Sequence, residues 1–489
     1  MKTVYFVSSS KEKHEEIEAL GQKEGINIGF CKIDIKELQT EDIDELIKYK
    51  AKKAYQELHR PVLVEHTALG IDAFKGLPAL QTSYFYKKMD CEAIVEYCSY
   101  KNNFTAYAES IFCFCDGKEY KIGKGIDKGT IVNSLSDIKG TSGFGWDKIF
   151  VPSENNPAKV TYASDLSKKQ IRVKAWNDLC KKVKWIECLE DTLDKKKEQK
   201  YIEELAELIK QKKVMLFIGA GISASLNNKK EEDNKIESNK GKKDELIFPT
   251  WSQLINQLGR TTGYDEELFS MHGDNMMLAE YVSLKSRESV YQILRDNFDI
   301  EGKNKVISKL KVSEIYENIC ALDCPIIYTT NYDGLIEKAL EMNGKNYSKV
   351  SRIEDMKKVK PDTTRIMKFH GDVGDDESIV LAESEYFKRM DFESFMDIQF
   401  QADILQYHVL FLGYSMSDIN IKLLLYLAKK RWTDKNEALK AYIYTATPNE
   451  IQKQVFESNN IYTISGDEPD KKKGTMNFLK KLKDIVETK

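Results

Sequence analysis

Four short clusters in the second half of the chain carry side chains able to do chemistry. They are Gly219-Ala220-Gly221-Ile222-Ser223, Thr330-Asn331-Tyr332-Asp333, Lys368-Phe369-His370-Gly371-Asp372 and Gly413-Tyr414-Ser415-Met416-Ser417-Asp418. The first follows the apolar run Val214–Ile218. Its two glycines allow positive φ and let a ligand approach the backbone closely. Ser223 is expected to cap the turn that follows, where free N–H groups attract phosphate. The other clusters bring an amide, carboxylates, hydroxyls and a histidine, whose ordinary pKa suits proton transfer near neutrality. A glycine turn by itself is a common βα connection. Three further polar clusters at strand ends make it one wall of a ligand site.

Each cluster needs a strand to present it. Residues 214–218, 324–328, 365–368 and 409–412 are segments of strand length that run into these clusters, and Ala441–Thr445 adds a fifth. Strand–loop–helix repetition predicts a parallel sheet with ligands at the carboxyl ends of its strands. A helical stretch at about 266–310 interrupts it. In the first half, strands are expected at 3–7, 27–35 and 61–64, with 104–115 and 119–126 paired about Asp116-Gly117. Helices are expected at 11–20, with Ile17 and Leu20 inward, at Ile43–Leu58 and at 167–183. Residues 140–147 form a glycine-rich loop. The fold class is therefore α/β throughout.

The chain has 489 residues, too many for one core. Its 41% hydrophobic and 31% charged residues fit a globular protein. A net charge of −3 gives no global field for nucleic acid or membrane. No apolar run approaches the ~20 residues of a membrane helix, and residues 1–7 read as a strand rather than a signal peptide, so a cytoplasmic location is expected. Nine scattered cysteines with no C-x-x-C pair read as reduced thiols rather than disulfides or a zinc site. The boundaries expected are a first domain at 1–186, a charged helical linker at 187–212 and a second domain at 213–489. Residues 227–245 have almost no apolar side chain and read as a disordered insertion.

Residues 1–185 resemble the Ham1/inosine triphosphate pyrophosphatase family. The matching pieces are Phe6-Val7-Ser8-Ser9-Ser10 with Lys13 and Glu16, Lys32-Ile33-Asp34 with Glu37, residues 61–67, Gly76-Leu77-Pro78, and Phe144-Gly145-Trp146-Asp147 with Thr161-Tyr162-Ala163. The resemblance implies an elongated α/β domain that hydrolyses ITP, dITP or XTP to monophosphate and pyrophosphate with Mg²⁺. It implies nucleotide contacts from Ser8, Ser10, Lys13, Glu37, His66, Phe144, Trp146, Asp147, Lys169 and Arg172. Serines and Lys13 suit phosphate oxygens, Glu37 suits Mg²⁺ as an oxygen ligand, and Phe144 offers a purine a stacking face. Two departures stand out. Where the family has an aspartate for metal and water activation, this chain has His66, and a neutral imidazole is a poor ligand for Mg²⁺. The family's Ser-His-Arg run aligns with Gln170-Ile171-Arg172, where only the arginine matches. Two readings stay open: nucleotide binding without turnover, or an active pyrophosphatase in which Asp72 or Glu65 replaces the missing aspartate.

The four clusters of the second half, taken together, resemble the SIR2 family over residues 200–445. That implies NAD⁺ in a Rossmann-like parallel-sheet domain with a helical insert, and cleavage of the nicotinamide–ribose bond. Gly219, Ala220, Gly221, Ser223, Thr330, Asp333, Gly413 and Ser415 would bind NAD⁺, and Asn331 and His370 would be catalytic. The zinc-binding cysteine pairs of the deacylase branch are missing, and Pro249-Thr250-Trp251 replaces its proline-aspartate-phenylalanine-arginine run. Both features resemble bacterial antiviral SIR2-like proteins that hydrolyse NAD⁺ to nicotinamide and ADP-ribose. The expectation is an anti-phage effector: an oligomer, with or without a partner protein, whose NAD⁺ hydrolysis responds to a purine triphosphate such as dITP or ITP. The alternatives are an active pyrophosphatase fused to a deacylase, and a non-catalytic scaffold for NAD or ADP-ribose.

Overall fold

The computed structural model describes residues 3–488 except 87, 135, 137–144, 155, 157, 186–191, 228–247, 417, 432–439 and 467. Phe144 and almost all of the insertion expected at 227–245 therefore lie outside the described residues. The chain divides into two compact units, Met1–Asp194 and Lys195–Lys489.

Unit 1 is a mixed sheet of β1 (Val4–Val7), β2 (Ile28–Cys31), β3 (Val62–Ile71), β4 (Pro78–Ala79), β5 (Thr105–Cys115), β6 (Tyr120–Ile131) and β7 (Phe150–Pro152). Its order is β2-β1-β3-β5-β6-β7, with β4 on β3. β1 runs parallel to β2 and β3, and β5 and β6 are antiparallel neighbours. The strand expected at 61–64 is in fact ten residues long. Polar Glu65-His66-Thr67 breaks the apolar run in the sequence, but pairing with β5 from Val62↔Cys115 to Ile71↔Ala106 carries the strand through it. Alternation then assigns the two faces. Leu63, Phe112 and Phe114 pack with Ala175, Trp176 and Leu179 of the helix Ile171–Cys180. Val62, Val64, Ile111 and Cys113 pack with Ile47, Ala51 and Ala54 of the helix Ile43–Leu58. Glu65 belongs to the first face and His66 to the second.

Unit 2 holds β8 (Val214–Ile218), β9 (Ile326–Thr329), β10 (Tyr347–Val350), β11 (Thr364–Lys368), β12 (His408–Leu412), β13 (Ala441–Thr445) and β14 (Ile461–Ser465). All pairs are parallel, in the order β10-β11-β9-β8-β12-β13-β14. From β8 the chain builds one side through β9 and the other through β12, so the order reverses between β8 and β12. Ligands of open parallel sheets bind in such a crevice. Helices from Trp251–Arg260 to Glu314–Ala321 form the insert between β8 and β9. The helix Thr192–Lys210 buries Tyr201, Ile202, Leu205, Ala206 and Ile209 in the core beneath β8. The eight described cysteines are free thiols. No described helix is long and apolar enough to cross a membrane.

Candidate functional site

In unit 2 the four clusters meet at the carboxyl ends of β8, β9, β11 and β12. The glycine turn differs from expectation. Gly219 has φ −107°, and neither it nor Gly221 takes a positive φ. Both are instead required by a neighbouring loop: a Cβ on Gly219 would lie 2.5 Å from the Gly413 carbonyl oxygen, and one on Gly221 2.9 Å from it. Gly413 itself sits at φ +59°, and Gly221 N–H donates to its carbonyl at 2.9 Å. Ser223 does not cap. It lies inside the short helix Ala220–Ala224, and its hydroxyl donates to Asp333 Oδ2 at 2.7 Å.

That hydroxyl in turn accepts from Asn331 Nδ2 at 2.9 Å, and the same amide nitrogen donates to the Gly219 carbonyl at 3.2 Å. The amide is thereby oriented, and Asn331 Oδ1 is left buried with no hydrogen-bond partner. A buried acceptor in this state is costly unless something else satisfies it. Two more buried polar atoms of neighbouring loops, Tyr414 OH and Asn420 Oδ1, also lack partners. Burial pushes the Asp333 carboxyl up, although Lys368 and Ser223 pull against it. Lys368 is fully buried. Its Nζ donates to the Asp333 carbonyl at 2.5 Å and lies 3.4 Å from Glu337 and 3.3 Å from Asp372. Thr330 is half-buried; Ala220 and Ser415 are exposed.

His370 has a polar neighbour on each side, although its contact with Asp418 is close without the alignment of a hydrogen bond. Its Nε2 lies 3.0 Å from Asp418 Oδ2, and Tyr386 OH is 3.4 Å from Nδ1. Burial raises the Asp418 carboxyl, but His370 and the backbone N–H groups of Asn420 and Ile421 outweigh it and hold it below the usual carboxylate range. Arg389 braces the loop, donating to the Phe369 carbonyl at 2.8 Å and pairing with buried Asp397. The sequence places Asp418 at the end of a strand-end cluster but gives no sign that it reaches His370. Tyr386 and Arg389 have no local signal at all. The orphaned acceptors, the fixed amide and the histidine–carboxylate pair fit a polar dinucleotide entering this crevice. A cavity of about 1100 Å³ is lined by residues including Arg295, Glu337, Lys349, Arg352 and Asp372. Its four basic side chains are paired with acids of the same wall.

In unit 1, β1 pairs with β3 through Tyr5↔Val62 and Phe6↔Leu63. Continuing that register puts the Ser8–Ser10 turn beside Glu65 and His66. Ser10 caps the helix Lys11–Lys23, accepting from Lys13 N at 3.3 Å, and Ser8 Oγ accepts from Ser10 N at 3.1 Å. Glu65 is completely buried. It accepts from Lys13 Nζ at 2.7 Å, Ser110 Oγ at 3.1 Å, Arg172 Nε at 3.2 Å and the Thr67 hydroxyl. Burial works against ionisation there, but Lys13 and Arg172 prevail and hold the carboxyl well below its usual range. Arg172 also pairs with Glu16. On the opposite face, His66 Nδ1 lies 3.5 Å from Glu37 Oε1, and Lys50 Nζ lies 3.3 Å from the same oxygen. His66 first, with Lys50 assisting, holds the Glu37 carboxyl down at about 2 despite partial burial. Asp147 is buried against Lys169, at 2.6 and 2.8 Å, and Trp146 packs in the core with Phe150 and Tyr162.

This geometry decides the fit of Mg²⁺. Glu65 points away from His66 and is saturated by four donors. Asp72 is exposed and lies six residues beyond His66, about 20 Å along an extended strand. Neither can stand in for an aspartate at position 66. At a nucleotide site Mg²⁺ takes one or two carboxylates, with phosphate oxygens and water completing a near-octahedral array, so the side chain beside Glu37 decides the fit. Among the described residues no group of three or more His, Cys, Asp or Glu is placed to hold a metal ion. The side chains at His66 and Glu37 do not fit the ion.

Residues 4–182 match the Ham1 family, and the chain belongs to that family. Residues 325–464 match the SIR2-like domain. Inosine triphosphate pyrophosphatase of Candida glabrata is 37% identical over 167 residues, covering 33% of this chain and 84% of that protein. The Saccharomyces cerevisiae enzyme is 34% identical over 169 residues, covering 33% and 83%. The dITP/XTP pyrophosphatase of Pyrococcus horikoshii is 30% identical over 161 residues, covering 32% and 84%. Among solved structures, a HAM1 protein from Coxiella burnetii covers 37% of this chain and 96% of its own at 21% identity, with a TM-score of 0.32.

Proposed function

We propose that unit 2 hydrolyses NAD⁺ to nicotinamide and ADP-ribose, and that a purine nucleoside triphosphate such as dITP or ITP, held in unit 1 without turnover, controls it. The observation that carries the NAD⁺ reading is Asn331: its amide is fixed through Ser223 and Gly219, leaving one buried carbonyl oxygen free. In this reading that oxygen orients the attacking water. The C1′–N bond breaks, its electron pair neutralises the nicotinamide ring nitrogen, and the water oxygen bonds to C1′. His370, paired with Asp418, accepts a proton from the ribose or the water. Thr330, Asp333, Ser223, Ser415 and the Gly219 and Gly413 loops shape the rest of the dinucleotide site.

Retention rather than turnover in unit 1 is supported by His66 and by the orientation of Glu65. The two activities need a coupling free energy of about 1–3 kcal/mol, a 5- to 150-fold effect, and self-association is the proposed route. Such a protein would serve as a cytoplasmic anti-phage effector, depleting NAD⁺ when an altered nucleotide pool signals infection. The second reading, an active pyrophosphatase joined to a deacylase, is favoured by the names of the relatives, which are pyrophosphatases. The test is NAD⁺ consumption by the full chain with ITP, dITP, XTP and the standard nucleotides, alongside pyrophosphate release. The proposal expects nucleotide-dependent NAD⁺ loss with the triphosphate intact. Pyrophosphate release with no NAD⁺ loss would favour the second reading.

A further inference from the structure

Resting on the reading of unit 1 as a nucleotide site, we infer that it takes its purine triphosphate as the metal-free anion. The argument starts from what surrounds Glu37. Two nitrogens, His66 Nδ1 and Lys50 Nζ, approach the same carboxylate oxygen at 3.5 and 3.3 Å. A divalent cation reaching that carboxylate would face an ammonium group and an imidazole in place of a second oxygen ligand. The next carboxylate on that face, Glu109, stands two residues along, opposite Ala68. Glu65, the nearest carboxylate in sequence, is on the other face and accepts four hydrogen bonds. The second imidazole nitrogen, His66 Nε2, is buried without a hydrogen-bond partner.

The ammonium groups at this end of the sheet suit an anion. Lys50 is near His66 on one side, and Lys13 with the Ser8–Ser10 turn stands at the end of β1 on the other. The Lys13 side chain remains one-third exposed, so it can turn from Glu65 toward a phosphate oxygen. Charge neutralisation of the triphosphate thereby passes from a metal ion to side-chain ammonium groups. With no metal to activate a water, the phosphoanhydride survives, as a signal-holding site requires.

The test is calorimetric titration of the full chain with ITP, in excess magnesium and again in excess EDTA, for wild type and His66→Asp. We expect wild-type affinity to agree within about threefold between the two buffers. His66→Asp places a second carboxylate beside Glu37, and its binding should become magnesium-dependent by more than about tenfold. Wild-type binding that needs magnesium overturns the inference and leaves the nucleotide site standing. ITP binding in neither buffer overturns the nucleotide reading itself. If the variant does not fold, the two wild-type titrations still decide.

Discussion

The pair formed by His370 and Asp418 offers a sharp test of the catalytic reading, because one substitution separates chemistry from fold. Asp418 has two roles. Its Oδ2 faces His370 Nε2 at 3.0 Å, and its Oδ1 accepts the N–H groups of Asn420 at 2.8 Å and Ile421 at 3.4 Å, starting the helix Ile419–Arg431. Asp418→Asn keeps the second role, since asparagine and aspartate are comparable helix caps. It removes the first. A carboxylate this close to a protonated imidazole stabilises it by Coulomb attraction, by ~1.4–4 kcal/mol for a partly screened pair. If His370 takes up a proton as the glycosidic bond breaks, that stabilisation is lost from the transition state, and kcat for NAD⁺ cleavage should fall about 10- to 1000-fold. The assay is nicotinamide release by full-length enzyme at saturating NAD⁺ and activating nucleotide, with thermal unfolding in parallel. The melting temperature should move by less than about 2 °C, because the cap survives. A variant that keeps its rate within about twofold would refute the assignment of His370 as the proton acceptor. A large fall in melting temperature with unchanged rate per folded molecule would show that Asp418 serves the fold alone.

Other expectations follow from the buried charges and the close loops. Glu65→Gln strands Lys13 and Arg172 against a neutral amide, and breaking a buried pair in this way costs about 3–5 kcal/mol; hydrogen exchange of β5 and β6 peptides should speed accordingly. The sign with pH is fixed by the depressed carboxyl of Glu65: its stabilisation is complete above the ordinary glutamate value of about 4.3 and is lost as pH falls below it toward the folded value. Acid unfolding of unit 1, followed through Trp146, Trp176 and Trp185, should therefore lose part of its pH dependence in Glu65→Gln. Gly413→Ala puts a Cβ 2.6 Å from the Ile222 nitrogen at a φ of +59°. It should lower the melting temperature and abolish NAD⁺ cleavage together, and a folded, active Gly413→Ala would contradict the close-approach argument.

Much of unit 2 was legible because each functional cluster follows a short apolar run, and period and spacing alone place it at a strand end. The edge strands β10 and β14 were not: Tyr347-Ser348-Lys349-Val350 and Ile461-Tyr462-Thr463-Ile464-Ser465 mix polar and apolar residues and border no motif. The reason for Gly219 and Gly221 was also hidden. They are needed for the approach of the Gly413 loop, nearly 200 residues away, which no local pattern reveals. Asp418 belongs to a strand-end cluster, but its contact with His370 joins the ends of β11 and β12, which β9 and β8 separate in the sheet. In unit 1 the sequence shows that His66 breaks the expected pattern. It does not show that Glu65 and His66 face opposite ways, because their polarity hides the strand that carries them. Only pairing with β5 establishes the alternation, and it removes Glu65 as a substitute for the missing aspartate. Phe144 lies outside the described residues, and the stacking role expected of it stays a proposal.

The central claim is that a nucleotide in unit 1 governs NAD⁺ cleavage in unit 2. The most direct measurement is NAD⁺ consumption by the full chain with and without dITP, repeated for Asn331→Ala. The account predicts consumption that rises at least about fivefold with dITP, leaves dITP unhydrolysed, and vanishes in Asn331→Ala. Consumption at the same rate without nucleotide, or persisting in Asn331→Ala, would contradict it.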